Sequence, residues 1–389
     1  MKKIINYGKQ FIDVSDINEV VKVLKSQNIT QGPYVNKFEI AFTKKLHCKY
    51  AVAVSSGTAA LHLIGISLGW RQNDIIICSP NTFIATAASV EYCGASLEFA
   101  DIDSETFNIC PVNLEKKIKE IKKRGKKVKA IIITDYAGQP ADWHEIYKLK
   151  TKYGFQIVND NCHSFGSTYK NKINYATLYA DAVSLSFHPV KHITTAEGGM
   201  ILTNNKKIFQ KSSTIRSHGM IRNNKHYNGY YEMSDLGYNY RLNELSCALG
   251  LSQLKKLKKF INYRKLIAKL YFKLLNNTDL VRLPETKSNR DHSYHLFVIR
   301  INFDKLKITK KELINFFLKK GFKLQVHYIP LHTQKYFKKK YNFKNEKLLN
   351  CEEFYKQAIS LPIFFNLKKN TVIKFCNLLK KYIDSNKTN

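Results

Sequence analysis

The stretch "SLSFHPVKHITTAEGGMI" at residues 184–201 sets one lysine, Lys191, between Ser-Phe-His-Pro and Ala-Glu-Gly-Gly. The apolar runs on either side, "DAVSLSFH" and "GGMILTN", are short and bounded by Gly, Pro and Asn, and they read as buried strands. Moving outward toward the N-terminus, "FQIVND", "VKAIIITDYAG", "SLEFADID", "DIIICSP" and "YAVAVSS" have the same character. Helical patterns such as "GTAALHLIGISLG" and "TFIATAASVEYCG" lie between them, which predicts a mostly parallel sheet sandwiched by helices. Ahead of this alternation, residues 16–27 read as a helix, and Gly32-Pro33 breaks the chain before a second one.

Toward the C-terminus the pattern changes. Residues 244–277 form one long helix-period stretch, expected to bridge two domains. Beyond it "HLFVIRI", a Lys-rich helix, "GFKLQVHYIP" and a terminal helix from "NTVIKFCNLLKKYI" predict a small α+β unit. The expected division is residues 1–250, an N-terminal arm with the large domain, and 251–389, the bridging helix with the small domain.

At 389 residues and 44% hydrophobic content the chain can bury a sizeable core. Its net charge of +34 raises nucleic acid, a membrane surface or an anionic substrate as partners. The lysines are spread, however, and runs such as "KKIKEIKKRGKKVKA" alternate with Ile as the solvated face of an amphipathic helix does. No helix-turn-helix or RNP-type motif stands out, which argues against a nucleic-acid partner. The eight cysteines contain no C-x-x-C pair, and most sit in apolar runs, as reduced buried thiols do. No signal-peptide pattern and no uncharged membrane-length window occurs, so a cytoplasmic protein without a membrane partner is expected. His292 with His295, and His327 with His332, lack further ligands, and no metal site is expected.

Ligands of open α/β sheets sit where strands end and helices begin, and a helix N-terminus offers free N–H groups to a phosphate. Three such places stand out. "SSGTAALH" puts Ser55, Ser56, Gly57 and Thr58 at a helix start, a pattern that also serves as an ordinary cap. "IVNDNCHSFGS" puts Asp160 and His163 at a strand end, where a cap and a core histidine are the plain alternatives. The third holds Ser186, His188 and Lys191. Together a phosphate cradle, a carboxylate with an imidazole nearby, and an amine match the needs of pyridoxal 5'-phosphate (PLP). Its aldehyde requires a lysine and its ring nitrogen an acid.

With "SSGTAALH", "PNTFIATA", "DYAGQPAD", "NDNCHSFGSTY", "SFHPVKHITTAEGGM", "RSHGM" and "LGYNYRLNELSCALGLSQL" in this order, the chain resembles the DegT/DnrJ/EryC1/StrS sugar aminotransferases over essentially its whole length. The resemblance implies the fold type I architecture of PLP-dependent transferases, a mostly parallel seven-stranded sheet between helices plus a small α+β C-terminal domain. It implies Lys191 as the Schiff-base lysine, Asp160 as partner of the pyridinium nitrogen and His163 beside the ring. Gly57, Thr58 and Ser186 would hold the phosphate, and Phe83 would stack on the ring. Asn239 would reach the phosphate from the second subunit of a homodimer with shared active sites.

Within the family, "QVHYIPLHTQKYF" and "AISLPIF" resemble the branch that aminates C4 of a UDP-4-keto-6-deoxy-N-acetyl-L-hexosamine, with L-glutamate as donor, for pseudaminic acid. Its sugar contacts would be Tyr7, Gln27, Asn28, Ile29, Thr30, His327 and Tyr328. A 4-aminotransferase for a D-configured UDP-sugar is the nearest alternative; a basic nucleic-acid-binding protein and a PLP-binding regulator without turnover are others. Asn159 departs from the glutamate many relatives carry, and some relatives have glutamine in place of His163. The branch that dehydrates sugars has histidine in place of the lysine, which Lys191 argues against.

Overall fold

The structure, a computed structural model, describes residues 4–222, 227–341, 343 and 348–387. Its centre is a seven-stranded sheet: β1 (Tyr50–Val54), β2 (Ile75–Cys78), β3 (Ser96–Phe99), β4 (Val128–Thr134), β5 (Gln156–Asp160), β6 (Ala182–Ser186) and β7 (Gly199–Thr203). The spatial order is β1-β7-β6-β5-β4-β2-β3. β7 alone runs antiparallel to its neighbours, and the other pairings are parallel. Helices cover both faces, so the strands are apolar on both sides. Ile131 and Ile133 enter one core while Ala130 and Ile132 enter the other.

The first helix runs Val14–Leu24, ahead of the 16–27 expected, because Asp13 caps it in a reciprocal capping box with Asp16. The long helix runs Glu244–Leu274, opened by Asn243, whose side chain accepts from the Ser246 N–H. Its early turns pack on the large-domain core through Cys247, Leu254 and Leu257. Its later turns give Ile267, Ala268 and Tyr271 to a separate core under the small antiparallel sheet of Val281–Arg282, Phe297–Ile301 and Ala358–Leu361.

Only Phe322–Lys323 of the "GFKLQVHYIP" run forms a strand, pairing in parallel with Ile5–Asn6 of the N-terminal arm. The rest crosses to the large domain, where the Leu331 N–H donates to the Pro80 carbonyl and the Tyr136 hydroxyl to the His327 carbonyl. No described helix is long and apolar enough to cross a membrane, and all eight cysteines are unpaired.

Candidate active site

Three strand ends meet over a few ångströms. The chain leaves β1 at Ser55 and enters the helix Gly57–Ser67, whose cap Ser56 accepts the Ala59 N–H at 3.0 Å. The N–H groups of Gly57 and Thr58 lie in the first turn, where a helix has no acceptor for them and its dipole is positive. A Cβ on Gly57 would stand 2.9 Å from the Ser186 Cβ and 3.4 Å from the Cys162 Sγ. Only a glycine lets the ends of β1, β5 and β6 close into this cradle. A Cβ on Gly199 would likewise collide with the Ser56 carbonyl oxygen.

Asp160 ends β5 and is buried. Its Oδ2 accepts the Thr86 hydroxyl at 2.7 Å and its Oδ1 the Cys162 N–H at 3.3 Å. Thr86, which the sequence reading missed, is itself within 2.9 Å of the Thr82 hydroxyl, which lies 2.8 Å from that of Thr134. The carboxylate is thus oriented from behind with acceptor capacity to spare. Asn159 and Asn161 point to the other side of the strand, as pleating requires, and donate to the Asp135 carboxylate at 3.2 and 3.0 Å. The departure at position 159 therefore serves Asp135 and not Asp160.

His163 follows on the next turn, fully enclosed, with Nε2 2.9 Å from the Tyr328 hydroxyl. Burial pushes its imidazole well below the ordinary range, and Lys191 adds to this when it is protonated. His295, at the start of the small-domain strand, packs against it with ring centroids 4.4 Å apart. The Lys191 Nζ lies 3.5 Å from the His295 Nε2. Burial lowers the pKa of the Lys191 amine and Arg264 adds to the lowering, while Cys162 and Asp160 act in the opposite sense. The outcome is an amine biased toward its neutral, proton-accepting form. His192, buried at 3.2 Å from the Ser293 carbonyl, and His295 are likewise held neutral by burial.

Tyr7, His327 and Tyr328 come together at the mouth. The Tyr7 and His327 ring centroids are 4.8 Å apart, the His327 Nδ1 lies 2.8 Å from the Ser360 hydroxyl, and Phe83, half exposed, is 5.9 Å from the Tyr328 ring. Gln27, Asn28, Ile29 and Thr30 do not join them: they form an exposed turn, tied by the Ile29 carbonyl to the Glu244 N–H at 3.1 Å. Asn239 is exposed as well, its backbone bridged to Ser217 while the following Tyr240 carbonyl accepts the Ser55 N–H. Among the described residues no side-chain hydrogen bond joins either segment to Lys191, Asp160 or Ser186. No cluster of three or more His, Cys, Asp or Glu suited to a metal is present among the described residues either.

A helix start with free N–H groups beside a glycine cradle suits a phosphate. An oriented carboxylate suits a protonated ring nitrogen, and a partly buried amine of lowered pKa suits an aldehyde. The residues present fit PLP. The class defined by this fold and site is the PLP-dependent aminotransferases built on a seven-stranded α/β domain. Residues 10–380 match the sequence profile of the DegT/DnrJ/EryC1/StrS aminotransferase family, and the chain belongs to it.

Among its relatives, the UDP-4-amino-4,6-dideoxy-N-acetyl-beta-L-altrosamine transaminase of Campylobacter jejuni is 35% identical over 97% of this chain and 99% of the relative. The solved Helicobacter pylori PseC, an aminotransferase of pseudaminic acid biosynthesis, superposes with a TM-score of 0.91 at 32% identity, covering 98% of this chain and 100% of PseC. The PLP form of the sugar aminotransferase Spr1654 of Streptococcus pneumoniae gives a TM-score of 0.89 at 25% identity, with 99% and 100% covered. The protein is a PLP-dependent sugar aminotransferase.

Proposed function

We propose that this chain moves the amino group of L-glutamate to C4 of a UDP-linked 4-keto-6-deoxy-N-acetyl-L-hexosamine, giving UDP-4-amino-4,6-dideoxy-N-acetyl-β-L-altrosamine for pseudaminic acid synthesis in the cytoplasm. The observation that carries it is the packing of Tyr7 on His327 and the seating of Tyr328 on His163, whose ring lies against the His295 imidazole that meets Lys191, in a chain 35% identical to a transaminase of that name.

Gly57, Thr58 and Ser186 would hold the cofactor phosphate, Asp160 its ring nitrogen, and Phe83 and His163 its ring. When bound, PLP supplies the electron sink and carries the amino group between donor and acceptor. Lys191 takes the proton from Cα of glutamate and later delivers one to C4 of the sugar. Its low proton affinity suits the first step, and the face of C4 turned toward it fixes the product's configuration. Tyr7, His327 and Tyr328 orient the hexose, and the small-domain crossing at Leu331 and Pro80 helps keep bulk water out.

The working unit is a homodimer in which Asn239, and the turn 27–30, serve the partner's site. Leu236, 78% exposed, and Met233, 64% exposed, beside Asn239 support that reading. Purified protein with PLP, L-glutamate and separate UDP-4-keto sugars of L- and D-configuration tests it. Expected are 2-oxoglutarate in step with amine, and an L-altro product by NMR. A D-configured product reassigns the sugar, and no 2-oxoglutarate with either sugar rejects the reading.

A further inference from the structure

Arg264, on the long helix, is a charge without a counter-charge. It is 2% exposed, and no carboxylate among the described residues pairs with it. Its Nη1 donates to the carbonyls of Tyr294, His295 and Ile363 at 3.2, 3.2 and 2.8 Å, and its Nη2 to the Val190 carbonyl at 3.3 Å. Burying a guanidinium with only dipoles for company is unfavourable compared with an apolar side chain of the same size. A structural clamp alone does not require that charge.

The acceptors show what the fork gathers. Val190 immediately precedes Lys191, His295 is the imidazole 3.5 Å from its amine, and Ile363 donates its N–H to the Tyr7 carbonyl at 2.8 Å. One planar group thus ties the lysine segment, the histidine facing it and the N-terminal arm bearing Tyr7. We infer that Arg264 is a positioning residue for the amino transfer, holding these three segments in register and placing a fixed positive charge behind the reacting lysine. The inference rests on the assignment of Lys191 as the reacting amine.

The groups facing the amine are few. Asp160 and Cys162 come from the end of β5, and the buried imidazoles of His163, His192, His295 and His327 surround it. Burial holds the imidazoles neutral above their lowered pKa values and the Cys162 thiol protonated, so the carboxylate of Asp160 and the guanidinium of Arg264 are the opposing fixed charges. Burial also lowers Arg264, to about 10, which leaves it charged at neutral pH. Charge of like sign nearby makes protonating the lysine costlier, in the same direction as its burial.

The test compares wild type with R264Q and R264K. In PLP-free protein, acylation of Lys191 by acetic anhydride is followed against pH by mass spectrometry, giving the amine's midpoint without turnover. In PLP-loaded protein the pH profile of kcat is measured alongside. The expected result is a Lys191 midpoint about one pH unit higher in R264Q, with the rising limb of kcat moved equally. R264K should stay within about 0.3 unit of wild type, because charge is kept while the fork is lost. Its kcat should nevertheless fall about tenfold through misplacement of the lysine.

An R264Q protein with native circular dichroism and an unmoved midpoint overturns the inference. If R264Q does not fold, R264K decides alone: a midpoint near wild type with reduced kcat supports the inference, and a shift of about one unit or an unchanged kcat overturns it. Wild-type protein that takes up PLP without linking it to Lys191 rejects the lysine assignment instead, before any variant is made.

Discussion

Two buried aspartates stand one strand apart in contrasting hydrogen-bonding surroundings. Asp135, just past β4, is wholly enclosed. It accepts from the Ala141 N–H at 2.7 Å, the Trp143 indole at 3.0 Å, the Asn159 and Asn161 amides at 3.2 and 3.0 Å, and the Tyr175 hydroxyl at 2.8 Å. Asp160, at the end of β5, has one hydroxyl and one backbone N–H. Five donors saturate a carboxylate, so Asp135 can only hold the fold together. Two donors from one side fix Asp160 and leave it free to meet a charged ring. The contrast teaches that a reactive group is recognised by the hydrogen bonds it lacks as much as by those it makes.

Five experiments would sharpen or break this contrast. The largest effect should come from Lys191→Ala. Turnover is expected to fall at least about 10⁴-fold with little change in Tm, and borohydride treatment of PLP-loaded wild type followed by peptide mapping should place the cofactor's mass on Lys191. Mass found on another peptide would displace the lysine from its role. Asp160→Asn should cost about 10³-fold in kcat with a near-normal denaturation midpoint, since the amide still accepts from Thr86. Asp135→Asn should do the reverse, losing about 3 kcal/mol of stability as buried donors lose their acceptor, while the folded fraction keeps its rate. If both variants lose activity and stability alike, the two carboxylates are not the different devices described above.

Smaller in effect is the dependence on pH. Burial lowers the imidazoles of His163, His192 and His295 well below the ordinary value, and those of His292 and His327 to about 3. The unfolded chain takes protons near pH 6.5 that the native state refuses, so stability present above that pH is lost as pH falls below it. The slope is up to about 1.4 kcal/mol per pH unit for each histidine. Asp135, raised to about 6 by burial, works in the opposite sense between roughly pH 4 and 6 and offsets one of them. Urea denaturation should show a net loss of about 4 kcal/mol or more from pH 7 to 5; a flat profile would mean that the imidazoles are not shielded as the structure has them. Least of all, Tyr328→Phe, which deletes the hydroxyl 2.9 Å from His163, should cost about 1 kcal/mol in stability, read as a small shift of the urea midpoint.

Much of this was legible in the sequence. Apolar runs bounded by Gly, Pro and Asn located all seven strands, because a sheet buried on both faces must be apolar throughout. Strand ends placed Gly57, Asp160, Ser186 and Lys191 together, since parallel strands deliver their C-terminal ends to one edge. Thr86, His192, His295 and Arg264 were not marked out as site residues. Thr86 reads as one more small helix residue, and Arg264 as one more cation in a basic helix.

The sequence by itself determined the alternation of strands and helices and the residue types available at their ends, because these follow from local periodicity. Only the tertiary structure decided that Asp160 and Asn159 face opposite ways into different networks, and that the 325–330 crossing lays Tyr328 on His163. It also decided that a lone arginine stands behind the lysine. Burial and charge at a point in space are sums over segments far apart in the chain, and no stretch of sequence contains that sum.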